Sequence, residues 1–382
     1  MLSSLRVKAL LKLIFICLLL FGVGIFLFTQ SRVQKIFAQN VLVADCRIFE
    51  SELNLLAIFP AIYCDYDFKR NKVLLGNEHE LVLADISGNE IWSAPHSDLN
   101  HDVTVDEENA RYYSLDYKLS EVDDKMIGFS VVRGFNERGE EFFNWSPSSI
   151  YSELLEDESR ELLLTNHVRD EVQIDGGHHD LAVLINNIQI LENTKLKTQF
   201  HESGRYLVLT FSNLNHIAIL DMKERRIVKR YRFFKNHLGS YIHMPQFLPG
   251  NKVLVFENIN LKNPPKVKKL LYTKRDDFYS RACIFDLNLE TGPLKCWPNN
   301  ESIHARIMGS AQLLDDLVLL TYCESYEDLA ECRIKLLDSD SVVMWDSKEV
   351  EAKFGLPLIS TSHLYRAELI PIVKMRPFTD SL

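Results

Sequence analysis

Residues Leu81–Trp92, LVLADISGNEIW, hold an apolar strand, a turn of Asp, Ser, Gly and Asn, and a short strand that ends on tryptophan. Short apolar runs bounded by such turn residues read as β-hairpins. The same grammar returns in VVRGFNERGEEFFNW, which ends at Trp145, and in IAILDMKERRIVKRY, which ends at Tyr231. It returns again in ACIFDLNLETGPLKCW, ending at Trp297, and in IKLLDSDSVVMW, ending at Trp345. All four tryptophans of the chain therefore occupy one place in one unit. Each unit follows another strand pair: YDFKRNKVLLG from Tyr66, HDVTVDEENARYYSL from His101, INNIQIL with RYLVLTF, HMPQFLPGNKVLVFE from His243, and GSAQLLDDLVLLTY from Gly309. The closing aromatics recur every 48 to 86 residues, and a four-stranded propeller blade often takes about 40–50. Five units are visible. Segments before Tyr66 and after His363 supply a sixth, which joins the chain ends and removes exposed sheet edges. The expected fold is all-β, a six-bladed propeller, with a solenoid or sandwich as the rivals. The tryptophans are expected to pack between blades rather than to stack on a ligand.

Ahead of the repeat, Leu13–Phe28 carries no charge, and Ala9–Phe28 is broken only by Lys12. About 20 mainly apolar residues span a bilayer as a helix, so the propeller is expected to follow one N-terminal transmembrane helix. This divides the chain into a cytoplasmic stub and anchor (1–30), a linker with the first propeller strands (31–65) and the propeller proper (66–382). Arg6, Lys8 and Lys12 precede the run, against Arg32 and Lys35 after it. That bias keeps the N-terminus cytoplasmic and puts the body on the periplasmic or extracellular side of the plasma (inner) membrane. A cleaved signal peptide is the alternative, but no small-x-small site closely follows Phe28. No second apolar run approaches this length, which excludes a multi-span transporter. A net charge of −10 and a pI near 5.7 exclude a chain built to track nucleic-acid phosphates.

Six cysteines lie beyond the apolar run. Cys283 and Cys296 flank one turn and Cys323 and Cys332 another, so antiparallel pairing would bring each pair within bridging distance. Ordinary buried thiols are the alternative. If the pairs are oxidised, the body lies in an oxidising space such as a periplasm. Cys46 and Cys64 receive no assignment. No phosphate loop, zinc-finger spacing or Gly-x-Ser-x-Gly elbow is present, and no cofactor is expected.

The strings HDVTVDEENARYYSL, HMPQFLPGNKVLVFEN, YSRACIFDLN, GSAQLLDDLVLL and LYRAEL follow one another in an order that resembles the arylsulfotransferase family, over roughly Leu81–Leu369. The resemblance implies a six-bladed propeller that moves a sulfuryl group from an aryl sulfate to a phenolic acceptor without a nucleotide donor. His243 then matches the nucleophile that is transiently sulfated, and His101 the helper that shuttles the phenol proton. Asn186, His179 and Arg281 are the expected substrate contacts. The chemistry asks for such groups, because sulfuryl transfer relies on positioning and on stabilising charge spread over equatorial oxygens. A neutral imidazole can attack sulfur, and a second can carry a proton near neutral pH.

Two positions depart from the family pattern. Leu184 stands where a histidine of a His-x-Asn pair is expected, and Ser212 where an arginine is expected. The loss of a cation and a donor from a sulfonate site motivates a second reading, a catalytically degenerate propeller that binds a ligand or scaffolds a partner. A third, a quinoprotein-like propeller, rests on ADISGNEIW alone and asks for more blades than the chain supplies. His178–His179–Asp180 reads otherwise as a solvated turn, and the basic stretch Lys262–Arg275 as a solvated insertion or an anion-steering overhang.

Overall fold

The protein is described by a computed structural model. Residues 1–30 and 375–382, and within the body chiefly 50–54, 97–101, 152–169, 197–204, 233–241, 262–277 and 349–365, lie outside the described residues. The expected anchor, His101 and the basic stretch fall in those segments. No helix among the described residues is long and apolar enough to cross a membrane.

Six antiparallel-based sheets follow one another along the chain. Blade 1 is composite. Its innermost strand, Ala367–Pro371, comes from the far end of the chain and pairs with Asn40–Ala44, which continues into Arg47–Phe49 and Leu55–Ile58. Blades 2, 4, 5 and 6 start with the inner strands Tyr63–Asp67, Ile185–Ile190, Ile242–Leu248 and Gly309–Leu314, and each adds three strands outward. Blade 3 starts at Val103–Asp106. It carries an extra hairpin, Asp170–Ile174 with Gly177–Val183, which pairs in parallel with the third strand, Lys125–Phe135. The expected closure of a sixth blade from the two chain ends is the closure observed.

The strand sequences explain why the sheets stack face to face. Tyr206–Phe211, YLVLTF, is apolar on both faces, and successive side chains of a strand point to opposite faces. Leu207 and Leu209 pack into a cluster with blade 3, whereas Val208 packs into one with blade 5. Lys72–Asn77 behaves likewise, with Val73 and Leu75 toward blade 1 and Leu74 toward blade 3. Six apolar clusters result, one at each interface between neighbouring blades, including that between blades 6 and 1. The ring is closed by packing as well as by pairing.

The repeated aromatics sit on the outermost strand of each of blades 2 to 6, on the face toward the following blade. Trp145 Nε1 donates to the Arg225 carbonyl at 3.1 Å, and Trp297 Nε1 to the Asp338 carbonyl at 3.0 Å. Both acceptors lie in the turn before the next blade's outer strand. Trp92 meets the same turn of blade 3 at Gly139, whose φ is +79° and where a Cβ would lie 2.9 Å from the indole. Only glycine meets both demands without strain. Trp345 instead packs on Phe37, from a helix over 31–39 that precedes blade 1 (ring centroids 5.1 Å apart).

Both cysteine pairs read from the hairpins are disulfides, and each joins register partners of adjacent strands. A third bridge, Cys46–Cys64, ties blade 1 to blade 2.

Candidate functional site

The six inner strands surround an axial channel of about 440 Å³. An inner strand has one open edge, and backbone groups there need partners. Side chains from the neighbouring blade supply them around the circle. Asp65 Oδ2 accepts the Val105 N–H at 2.8 Å, and Asp102 Oδ2 accepts the Ile188 N–H at 3.0 Å. Gln189 Nε2 donates to the Pro245 carbonyl at 3.0 Å, and Gln246 Oε1 accepts the Leu313 N–H at 2.6 Å. Gln312 Oε1 accepts the Leu369 N–H at 2.8 Å, and Arg366 Nη2 donates to the Cys64 carbonyl at 2.9 Å. Every pair of neighbouring blades is thus laced at the axis. The wall of the channel consequently shows at least one polar side chain from every blade, among them Asp65, Thr104, Gln189, Gln246, Gln312 and Glu368.

Arg366 organises the charge at the end where the inner strands begin. It lies 3.5 Å from Asp65, 3.9 Å from Asp102 and 3.9 Å from Glu368. Burial works against its charge, but Glu368, Asp65, Asp102 and Asp45 outweigh it and raise the pKa. One cation faces several carboxylates, so the channel keeps an acidic surplus. At the far mouth Glu107 and Lys374 pair at 3.6 Å.

Asp102 is fully enclosed, and burial pushes its pKa up to about 7 against the pull of Arg366 and the Ile188 N–H. An acid whose pKa is higher in the folded state stabilises the fold fully below its unfolded value near 4, and that stabilisation is lost as pH rises to 7. Each pKa unit corresponds to about 1.4 kcal/mol. His216, which burial and then Arg230 push down to about 4, acts in the opposite sense, since its stabilisation is lost as pH falls below its unfolded value. Asp102→Asn separates the two. Its stability relative to the parent should increase from pH 4 to pH 7 and level off above pH 8, measured by urea unfolding. A pH-independent difference would show that Asp102 does not titrate in this window.

Two of the residues expected at the site meet. Asn186 Nδ2 lies 2.7 Å from His243 Nδ1 and 3.2 Å from Nε2, and it donates to the Ile242 carbonyl at 3.1 Å. Both side chains are buried. His243 is followed by a bulge at Met244–Pro245, and Met244 adopts φ +46°, a region costly for a non-glycine residue. The bulge brings Met244 to the channel wall, whereas the His243 ring lies against Asn186 behind it. Leu184 and Ser212 are neighbours at this same end. The Ser212 N–H donates to the Leu184 carbonyl at 3.0 Å within the short turn Ser212–Leu214.

The remaining expectations do not converge there. Arg281 lies on the third strand of blade 5, and its Nε donates to the buried Glu257 at 3.0 Å. His179 lies in the extra hairpin of blade 3, which joins the sheet at its third strand rather than at the axis. His101 is outside the described residues. Blade 3 also shows an unexpected row, with Ser114 Oγ 3.2 Å from His96 Nε2 and His96 Nδ1 3.3 Å from Asp116, which Arg133 contacts at 3.2 Å. Ser114 is fully buried on a central strand, so the row holds the interface between blades 2 and 3. Sequence reasoning missed the channel ring. Its signal was a polar residue at one place in successive inner strands, in IQI, PQF, AQL and AEL.

No family model and no curated protein matches the chain. Among solved structures, it is similar to a protein of unknown function from Bacteroides caccae, with 10% identity and a TM-score of 0.49 over 87% of this chain and 99% of that one. It is also similar to the hydrazine synthase of Kuenenia stuttgartiensis, with 11% identity and a TM-score of 0.45 over 85% and 80%. A third is the Cps50 (Swd1) β-propeller domain of Myceliophteria thermophila, with 8% identity and a TM-score of 0.43 over 81% and 86%. At such scores these likenesses say nothing about the site, and the six-bladed ring stands on its own strand pairing.

Proposed function

We propose that the chain is a membrane-tethered binding propeller whose axial channel receives a small, polar, positively charged organic molecule. The observation that carries this reading is the channel wall, which offers at least one hydrogen-bonding side chain from every blade and more carboxylates than cations. Pockets with a few convergent polar groups on a rigid scaffold are ordinary ligand sites. Glu368 keeps 42% of its side chain exposed and is available to a bound amine. Three disulfides favour an oxidising compartment, consistent with an anchor at 9–28 and a body on the periplasmic or extracellular side.

Sulfuryl transfer is the second reading, and the contact between Asn186 and His243 favours it. A cation is present at that end, but Arg366 is already held by carboxylates that would repel a sulfonate. Removing a single oxyanion donor from such a site costs about 10²–10³ in rate.

One titration decides between them. With the disulfides intact, spermidine is expected to bind by calorimetry and phenyl sulfate is not, and Glu368→Gln should weaken spermidine about tenfold, the loss of one charge-assisted contact. Release of phenol from phenyl sulfate that disappears in His243→Ala would overturn the binding reading and establish the transferase.

A further inference from the structure

The first residue past an inner strand stands at the far mouth of the channel. In blade 2 this residue is Phe68 and in blade 3 it is Glu107, and both line the channel. The Phe68 N–H donates to Glu107 Oε1 at 3.3 Å and fixes the carboxylate there. Only 17% of the Glu107 side chain is exposed. Burial raises its pKa, Lys374 and the Phe68 N–H pull against the rise, and Asp65 and Asp67 add to it. A carboxylate so enclosed, with other carboxylates close by, favours a cation beside it.

That cation comes from the end of the described chain. Lys374 follows the closing strand Ala367–Pro371 and arrives at the same mouth. Its Nζ lies 3.6 Å from Glu107 Oε1 and 5.0 Å from the centroid of the Phe68 ring. A carboxylate beside an aromatic face is a receptor for an alkylammonium group, and a lysine side chain is such a group. Two neighbouring cations are engaged elsewhere, Arg70 with both oxygens of Asp67 and Lys69 with Glu108. Lys374 is held loosely by comparison, with 55% of its side chain exposed. An ion pair so placed contributes little and is easily exchanged.

The channel thus has two acidic levels. Asp65 accepts the Val105 N–H, and Glu368 shares its level through Arg366. Glu107 follows Val105 by two residues, and Phe68 follows Asp65 by three. At about 3.3 Å per residue, the two levels stand about 7–10 Å apart along the axis.

We propose that the far mouth is an ammonium subsite with Lys374 as its built-in occupant, and that the channel takes a linear diammonium molecule whose second charge displaces this lysine. The inference rests on the cation-binding reading of the channel and names the ligand's shape and the residue that competes with it.

The test uses the full chain in detergent with its disulfides intact, and spermidine as the probe. The terminal amines of spermidine lie about 11 Å apart when extended, at ordinary bond lengths, enough to reach both levels. By calorimetry, Lys374→Met should bind it about threefold more tightly, because the competing occupant is gone. Glu107→Gln should bind it about tenfold more weakly, the loss of a charge-assisted contact. In the parent, saturating spermidine should speed acetylation of Lys374 about threefold, read by mass spectrometry, as the side chain is released. Spermidine that binds and is weakened by Glu368→Gln, but is indifferent to both Lys374→Met and Glu107→Gln, overturns the far subsite and leaves the channel reading intact. Tighter binding to Lys374→Met with no change in Lys374 acetylation reports a general charge effect and overturns displacement. Spermidine that binds to none of these proteins overturns both the subsite and the channel reading.

Discussion

Arg366→Ala should destabilise the propeller by about 3–5 kcal/mol, the usual result of removing one partner from a buried ion network. The side chain is 16% exposed and faces Asp65, Asp102 and Glu368, and its Nη2 also satisfies the Cys64 carbonyl. Alanine leaves these carboxylates with no cation and opens the lacing between blades 1 and 2. A typical domain has about 5–15 kcal/mol in total, so the variant should sit near the edge of folding. Arg366→Lys retains the charge but not the forked geometry, and should fall between the two. Chemical denaturation of all three proteins at pH 7.5 measures this. A change below about 1 kcal/mol, the scale of an exposed ion pair, would mean that water or proton uptake compensates the carboxylates and that Arg366 is no keystone.

The fold was legible because it is written locally and repeatedly. A strand buried on both faces is a continuous apolar run, and LVLTF, KVLVF and LVLLT say so without reference to the rest of the chain. An aromatic residue at the end of each unit marked the outer strand, whose closing ring packs toward the following blade. The hairpin disulfides were legible for the same reason, their partners being 13 and 9 residues apart. Cys46–Cys64 was not, since it joins two blades and no hairpin announces it. The site fared differently. Resemblance placed Asn186 and His243 together, and they do meet. It placed Arg281 near the substrate, but ladder register puts it opposite Glu257, which holds it. Arg366 was in view within LYRAEL and went unread as a charge centre. Its meaning depends on groups brought round the ring, the Cys64 carbonyl lying 302 residues away in sequence. Local pattern dictates blades, and only closure reveals what faces the axis.

That dependence on closure predicts the largest effect of all. A chain that stops after Arg366 keeps the cation but loses Ala367–Pro371, the strand that completes blade 1. Five register pairs with Asn40–Ala44 disappear, and Leu369 no longer donates to Gln312. Ala367 and Leu369, both nearly inaccessible, also leave the cluster shared by blades 6 and 1. Burying leucine alone contributes about 2–5 kcal/mol by truncation to alanine. The open edge at Asn40–Ala44 would face the axis with Val41, Leu42 and Val43 uncovered, a template for aggregation. The sum exceeds what a domain can lose, so the shortened chain is expected to be insoluble or rapidly digested by chymotrypsin. Refolding the shortened chain with residues 363–382 supplied as a separate peptide should restore resistance, because the missing strand can pair in trans with Asn40–Ala44 as the ring forms. If the shortened chain melts with the parent, the ring does not need its closing strand, and the clusters between the other blades hold it alone.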